Sequence, residues 1–284
     1  MPLRLIAGAA LILACAGPAR AGPEHEVLRF TGRAPQSEAL AGADYRIVDE
    51  TFQVHTPRRY APRRAARYGV LVWCSPGDTG ALPPGWRRVC DRARLLAIGA
   101  DRAGNERPLA ERVGLAIDAA HNLLLRCPGL DRERVYVVGF SGGGNVACRA
   151  AFHAPTLFRG LVALAGSLSH HDLPVPGRPG SFWRGGIPDP GPERLRLLRE
   201  RTVHVHLAGE RDPRALAQAR AVVRALRADG FRRAHLLVVP GLGHALPPTE
   251  RLRRAISLLD RKAPSPQAES HRPGPEGPNP ESNR

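Results

Sequence analysis

The chain predicts an α/β domain: a mostly parallel, doubly wound sheet with antiparallel strands at its N-terminal edge. Three observations carry that expectation. Residues 68–73 and 134–138 are rich in continuous apolar side chains, the form of parallel strands covered on both faces rather than the alternation of a half-exposed strand. From residue 68 onward strand and helix patterns alternate five times, as a doubly wound sheet requires. Before that point segments 27–30, 45–48 and 52–56 read as short strands broken by Gly, Pro and Asp, the pattern of an antiparallel edge.

The elements follow in order. The strand at 68–73 ends in the turn-rich Ser75-Pro-Gly-Asp-Thr-Gly, and a helix at 87–95 leads to a strand at 96–99. Residues 111–125 form an amphipathic helix stopped by Cys127-Pro128-Gly129. The strand at 134–138 runs through a glycine-rich turn at Ser141 into a helix reaching about His153, and a strand follows at 161–165. Order lapses over 169–192, where His170-His171-Asp172 and Phe182-Trp183 stand among prolines and glycines. A loop of that length in a compact domain is usually functional, so it is expected as a surface insertion near the active site. A strand at 202–207, a helix at 215–229, a strand at 234–239 and a helix at 250–260 complete the domain. Residues 263–284 are Pro, Ser, Glu, Asn and Gly in the main and are expected as a disordered tail.

Composition bounds the possibilities. The chain has 284 residues, 43% hydrophobic and 24% charged, enough for one sizeable core and unlike a disordered polymer or an integral membrane protein. The net charge of +16 would ordinarily point to nucleic acid. Yet all but one of the 42 basic residues are arginine, the exception being Lys262. They are scattered (Arg58, Arg63, Arg112, Arg196, Arg224, Arg253) rather than gathered in one arm with stacking aromatics. The excess therefore reads as compositional background, and no nucleic-acid partner is expected.

The first 21 residues read as an export signal: a positive charge at Arg4, an apolar run at 5–16 and Ala19-Arg20-Ala21 as the cleavage site. The run is too short to span a membrane of about 30 Å, so no integral span is expected; lipidation at Cys15 is the lesser reading. Residues 22–262 then form a single secreted or periplasmic domain. Its four cysteines, Cys74, Cys90, Cys127 and Cys148, suggest two disulfides in an oxidising compartment, with the connectivity open.

The chemistry centres on Gly139-Phe140-Ser141-Gly142-Gly143, placed between a buried strand and a helix. Glycines two before and two after the serine let strand and helix backbones cross closely at a strained nucleophile. A phosphate-cradling turn fits less well, because the Walker lysine is missing. Ser141 needs a base and an orienting acid, and the chain supplies them in that fold's order. The strand at 202–207 runs into Glu210-Arg211-Asp212, and the strand at 234–239 into Gly241-Leu242-Gly243-His244. Asp212 and His244 are therefore the expected acid and base, with Glu210 and Asp172 as alternative acids. His204 and His206 alternate within a strand and read as core or sheet-face residues; His121, His153 and His235 carry no motif. The Gly142 N–H should serve an oxyanion; because Pro76 has no N–H, the second donor is expected from Ser75, Gly77 or Asp78, with a preference for Gly77. Trp183, Asn105 and His171 are candidate substrate-binding residues, with Trp86, Phe182 and His170 as further possibilities.

Residues 68–260 resemble an α/β-hydrolase. Asp131-Arg-Glu-Arg-Val-Tyr-Val-Val-Gly-Phe-Ser-Gly-Gly-Gly and Pro240-Gly-Leu-Gly-His look like the nucleophile segment and histidine loop of secreted esterases of the feruloyl esterase and polyhydroxybutyrate depolymerase type. The elbow is also similar to that of prolyl-oligopeptidase-type peptidases. The resemblance implies a monomeric serine hydrolase acting on small or polymeric esters without metal or organic cofactor. A peptidase, or a non-catalytic carbohydrate- or wall-binding protein on the same scaffold, are its alternatives.

Overall fold

A computed structural model describes residues 24–261. The expected export signal, Cys15 and the expected tail lie outside those residues. In chain order the elements are β1 (His25–Leu28), α1 (Pro35–Glu38), β2 (Phe52–His55), β3 (Gly69–Cys74), α2 (Trp86–Ala93), β4 (Leu95–Ala100) and α3 (Leu109–Arg126). Then come β5 (Val135–Phe140), α4 (Gly142–His153), β6 (Gly160–Leu164), β7 (Leu173–Pro174), β8 (Phe182–Trp183) and α5 (Gly191–Arg201). The domain closes with β9 (Val203–Gly209), α6 (Pro213–Ala228), β10 (Ala234–Val239) and α7 (Thr249–Leu259). Eight strands form one sheet in the order β1-β2-β4-β3-β5-β6-β9-β10, antiparallel from β1 through β4 and parallel from there on. This is the α/β-hydrolase fold. No helix among the described residues is long and apolar enough to cross a membrane.

Both sheet faces are covered, which is why β3 to β6 are apolar throughout. Alternate residues serve opposite layers. Val70, Val72, Val135, Val137, Leu161 and Ala163 pack beneath α3 and α4, while Leu71, Trp73, Tyr136, Val138, Val162 and Leu164 pack beneath α2 and α7. Trp73 meets Trp86 of α2 edge-on at 4.8 Å, and both rings are almost completely buried. His204 and His206 fall on the α4 and α6 side of β9. His204 packs edge-on against Phe152 and Phe231, and His206 Nδ1 hydrogen-bonds Ser167 Oγ at 2.9 Å. Burial holds both imidazoles neutral, pushing His206 down to about 4 and His204 well below its usual value.

Three expectations are corrected. Residues 45–48 are not a strand. Tyr45 turns inward instead, where Asp118 of α3 collects its hydroxyl at 2.5 Å, the Ala34 N–H at 2.7 Å and the Ser37 hydroxyl, while Arg33 lies over the Tyr45 ring at 4.1 Å. That buried carboxylate pins the N-terminal segment to α3 in an irregular path ending in a 3₁₀ turn, Ile47–Asp49. The insertion is not featureless: it forms the small β7–β8 hairpin and delivers α5, which no periodicity announced. Finally, no disulfide joins the described cysteines. Cys74 and Cys148 pack in the α3 and α4 layer and Cys90 on the opposite side of the sheet. Burial lifts the thiols of all three to about 12, so they behave as small apolar groups.

The buried His206 generates a pH dependence of stability. Its folded value lies below the unfolded value near 6.5, so its contribution is complete above that pH and is lost as pH falls toward about 4. The full loss amounts to about 3 kcal/mol. Urea unfolding at pH 7 and pH 4.5 should show a larger drop for the native chain than for His206→Gln; equal drops would reject this account.

Candidate active site

β5 ends one residue before Ser141, and α4 begins one residue after it. Ser141 therefore sits at a reversal sharp enough to force φ 53° and ψ −121°, a conformation costing about 1–3 kcal/mol outside glycine. Its own N–H donates to the Leu164 carbonyl at 2.8 Å, and the Gly144 N–H returns to the Ser141 carbonyl at 2.9 Å. The flanking glycines make the reversal possible. A Cβ on Gly139 would fall 2.0 Å from the Gly143 carbonyl oxygen, and one on Gly143 2.0 Å from that of Cys74. Gly166, which sequence reading did not single out, is equally constrained: its missing Cβ would stand 1.8 Å from the Ser141 oxygen.

The expected acid and base lie in the loops after β9 and β10, two and three strands along the sheet from β5. Asp212 is the N-cap of α6, with Pro213 as the first helical residue; its Oδ1 accepts the Ala215 N–H at 3.1 Å. The other oxygen, Oδ2, accepts the His244 Nδ1–H at 2.5 Å, and His244 Nε2 receives the Ser141 hydroxyl at 3.0 Å. The cap thus fixes the carboxylate before the imidazole docks on it. Phe140 lies beside the His244 ring at 5.2 Å. The two alternative acids have other duties. Glu210 accepts the Gly241 N–H at 2.9 Å and so ties down the left-handed turn before His244. Asp172 is held within the insertion by Arg184 and the Gly185 N–H.

Gly142 opens α4, where the helix N-terminus leaves backbone N–H groups unpaired and concentrates positive potential next to Ser141. The Gly77 N–H, preferred from sequence as the second donor, instead donates to Ser75 Oγ at 3.1 Å inside the same loop. Asn105 lies beside Gly142. Its side-chain oxygen occupies the space a Cβ on Gly142 would fill, and its N–H donates to the Pro76 carbonyl at 2.9 Å. Asp78 draws the same two loops together by accepting from the Gly104 and Arg102 N–H groups.

Arg112, grouped by sequence among scattered surface arginines, is buried in α3 and belongs to this region. Its Nε donates to the Ala103 carbonyl at 2.9 Å and an Nη to the Ser75 carbonyl at 3.3 Å, so one guanidinium holds both loops that border Gly142. Desolvation lowers its pKa. Only its place on the apolar stripe of α3 could have revealed it.

The remaining candidates lie elsewhere. Trp86 is buried against Trp73 beneath α2. Trp183 pairs with Leu173 in the hairpin and packs on the helix-covered core. His171 meets Asp229, the C-cap of α6, whereas Asp212 is that helix's N-cap. At 1.5 Å per residue the two ends of α6 are about 25 Å apart, so His171 is remote from Ser141. This part of the insertion lies against the far ends of α4 and α6, not over the triad.

No protein-family model matches the chain, and no curated protein sequence matches it. Solved structures do. An esterase from the archaeon Pyrobaculum calidifontis superposes with a TM-score of 0.55 at 16% identity, over 83% of this chain and 82% of that one. Esterase 2 of Thermogutta terrifontis, solved phosphoramylated by tabun, gives 0.54 at 17% identity, over 84% and 93%. A putative dipeptidyl aminopeptidase IV from Bacteroides ovatus gives 0.54 at 17% identity over 83% of this chain, which spans 35% of that longer one. At such identities the likeness establishes the shared α/β-hydrolase fold.

The glycine geometry separates two neighbouring substitutions. Gly143→Ala drives a Cβ into backbone and should lower stability by about 3 kcal/mol or more while abolishing the elbow. Gly142→Ala meets only the tip of the Asn105 side chain, which can swing away, and should leave the melting temperature nearly unchanged. Thermal unfolding of the two variants checks the contrast; similar melting temperatures would refute it.

Proposed function

We propose that the protein is a serine hydrolase of carboxylic esters. The carrying observation is the continuous relay from Ser141 Oγ through His244 to Asp212, at 3.0 and 2.5 Å. In this reading His244 Nε2 takes the hydroxyl proton as Ser141 Oγ attacks the acyl carbon, and Asp212 stabilises the imidazolium through Nδ1–H. The Gly142 N–H and the positive end of α4 receive the developing oxyanion, with a second donor from the 75–78 loop. His244 then protonates the departing alcohol, and an acyl group remains on Ser141. Water, deprotonated by the same imidazole, releases the acid and restores the serine. No metal or organic cofactor enters these steps.

His244 is 51% exposed, so the site is open to solvent and suits esters presented on a polymer as well as small ones. The feruloyl and polyester readings rest on the nucleophile and histidine segments rather than on an aromatic lid, since Trp183 packs on the core. Export rests on residues 1–21 alone, because the thiol chemistry no longer argues for it. Asn105, beside Gly142, is the residue we assign to substrate contact.

Ser141→Ala should cut turnover of a short p-nitrophenyl ester by at least about 10⁴-fold with unchanged unfolding, and Asp212→Asn by a comparable factor. Labelling by a fluorophosphonate should vanish in Ser141→Ala. Undiminished turnover in that variant would overturn the assignment. The likeness to the aminopeptidase favours peptides as the second substrate class; cleavage of peptide but not ester substrates would move the conclusion there.

A further inference from the structure

At the far end of α6 the insertion brings two consecutive histidines onto one carboxylate. His170 Nε2 and His171 Nε2 approach Asp229 Oδ2 at 3.3 and 3.0 Å, and the three donor atoms all lie within 4.8 Å of one another. His171 satisfies a hydrogen bond to that oxygen. His170 does not: its side chain is 4% exposed, both ring nitrogens are buried without a hydrogen-bond partner, and its ring is packed by Phe152 at 5.4 Å and His171 at 3.9 Å. A buried imidazole with no hydrogen bond at either nitrogen is a costly arrangement.

A cation between the three donors resolves it. With metal–nitrogen bonds near 2.1 Å, a tetrahedral site has ligand-to-ligand edges of about 3.4 Å, close to both separations from Asp229. Two imidazoles and one carboxylate form a donor set suited to zinc and its neighbours rather than to calcium or magnesium. We propose that His170, His171 and Asp229 form a binding site for a divalent transition metal of the zinc type, with water as fourth ligand. The half-exposed His171 provides entry from solvent. Burial and the neighbouring His171 keep His170 in the neutral form that binds metal, an effect Arg199 reinforces and Asp229 and Asp189 oppose. The ion would clamp the start of the insertion to the C-cap of α6, about 25 Å from the triad, so its role is structural. It is independent of the ester chemistry.

The test uses the full chain freed of metal with EDTA and titrated with Zn²⁺ by calorimetry and with Co²⁺ by visible absorption. Expected are one ion per chain, the absorption of tetrahedral Co²⁺ and a higher melting temperature with Zn²⁺. His171→Ala and Asp229→Asn should each weaken binding by at least about tenfold and remove the thermal shift. His25→Ala, an exposed histidine on β1, should change neither. Failure of the native chain to bind either ion, or binding undiminished in both ligand variants, would overturn the site and leave a hydrogen-bonded histidine pair only.

Discussion

Everything at the candidate site depends on how closely three backbones cross at Ser141. The Cβ positions of Gly139, Gly143 and Gly166 would each fall within about 2 Å of a carbonyl oxygen, so the strand, the helix and the following loop are in contact through backbone alone. That contact fixes the serine at the carboxyl edge of the sheet, with the Leu164 carbonyl holding its N–H from one side and α4 beginning immediately on the other. The strain at Ser141 is sustained because the sheet on both sides is buried and has no room to relax.

Placement of the other groups follows from ordinary loop physics applied at the same edge. A parallel strand must end in a loop there, and each loop is ordered by a polar residue meeting backbone. Asp212 caps α6, Glu210 holds the turn at Gly241, Asp78 holds the loop at Gly104, and Arg112 spans two loops from below. Asp212 has the further property that one carboxylate oxygen serves the helix and the other the imidazole. The His244 imidazole is therefore held by a group whose position is set by helix capping.

How much of this was legible in sequence divides along the same line. The parallel strands, the order of helices and the Ser141, Asp212 and His244 positions could be read because burial on both faces and glycine spacing leave local traces. Tyr45 could not: its strand-like neighbourhood is overridden by Asp118, some seventy residues later in the chain. Arg112 was hidden by composition, one arginine among many, although its guanidinium bridges the loops at Gly142. The cysteine count misled for a similar reason. Parity argues for disulfides only where thiols can meet, and here the sheet itself separates Cys90 from Cys74 and Cys148. Gly77 was the preferred donor among three, but the Ser75 hydroxyl engages its N–H.

The insertion shows why a long loop need not be a lid. It leaves β6 at the catalytic edge and must reach the opposite edge, where α5 returns the chain to β9, so most of its length runs down the outside of α4 and α6. His170 meets Phe152 near the end of α4, and His171 meets Asp229 at the end of α6. Helix α6 consequently carries a carboxylate at each terminus with opposite consequences. A carboxylate at a helix N-terminus, such as Asp212, lies on the favourable side of the helix dipole, and one at the C-terminus, such as Asp229, on the unfavourable side. It is on this second carboxylate that the insertion places His170 and His171.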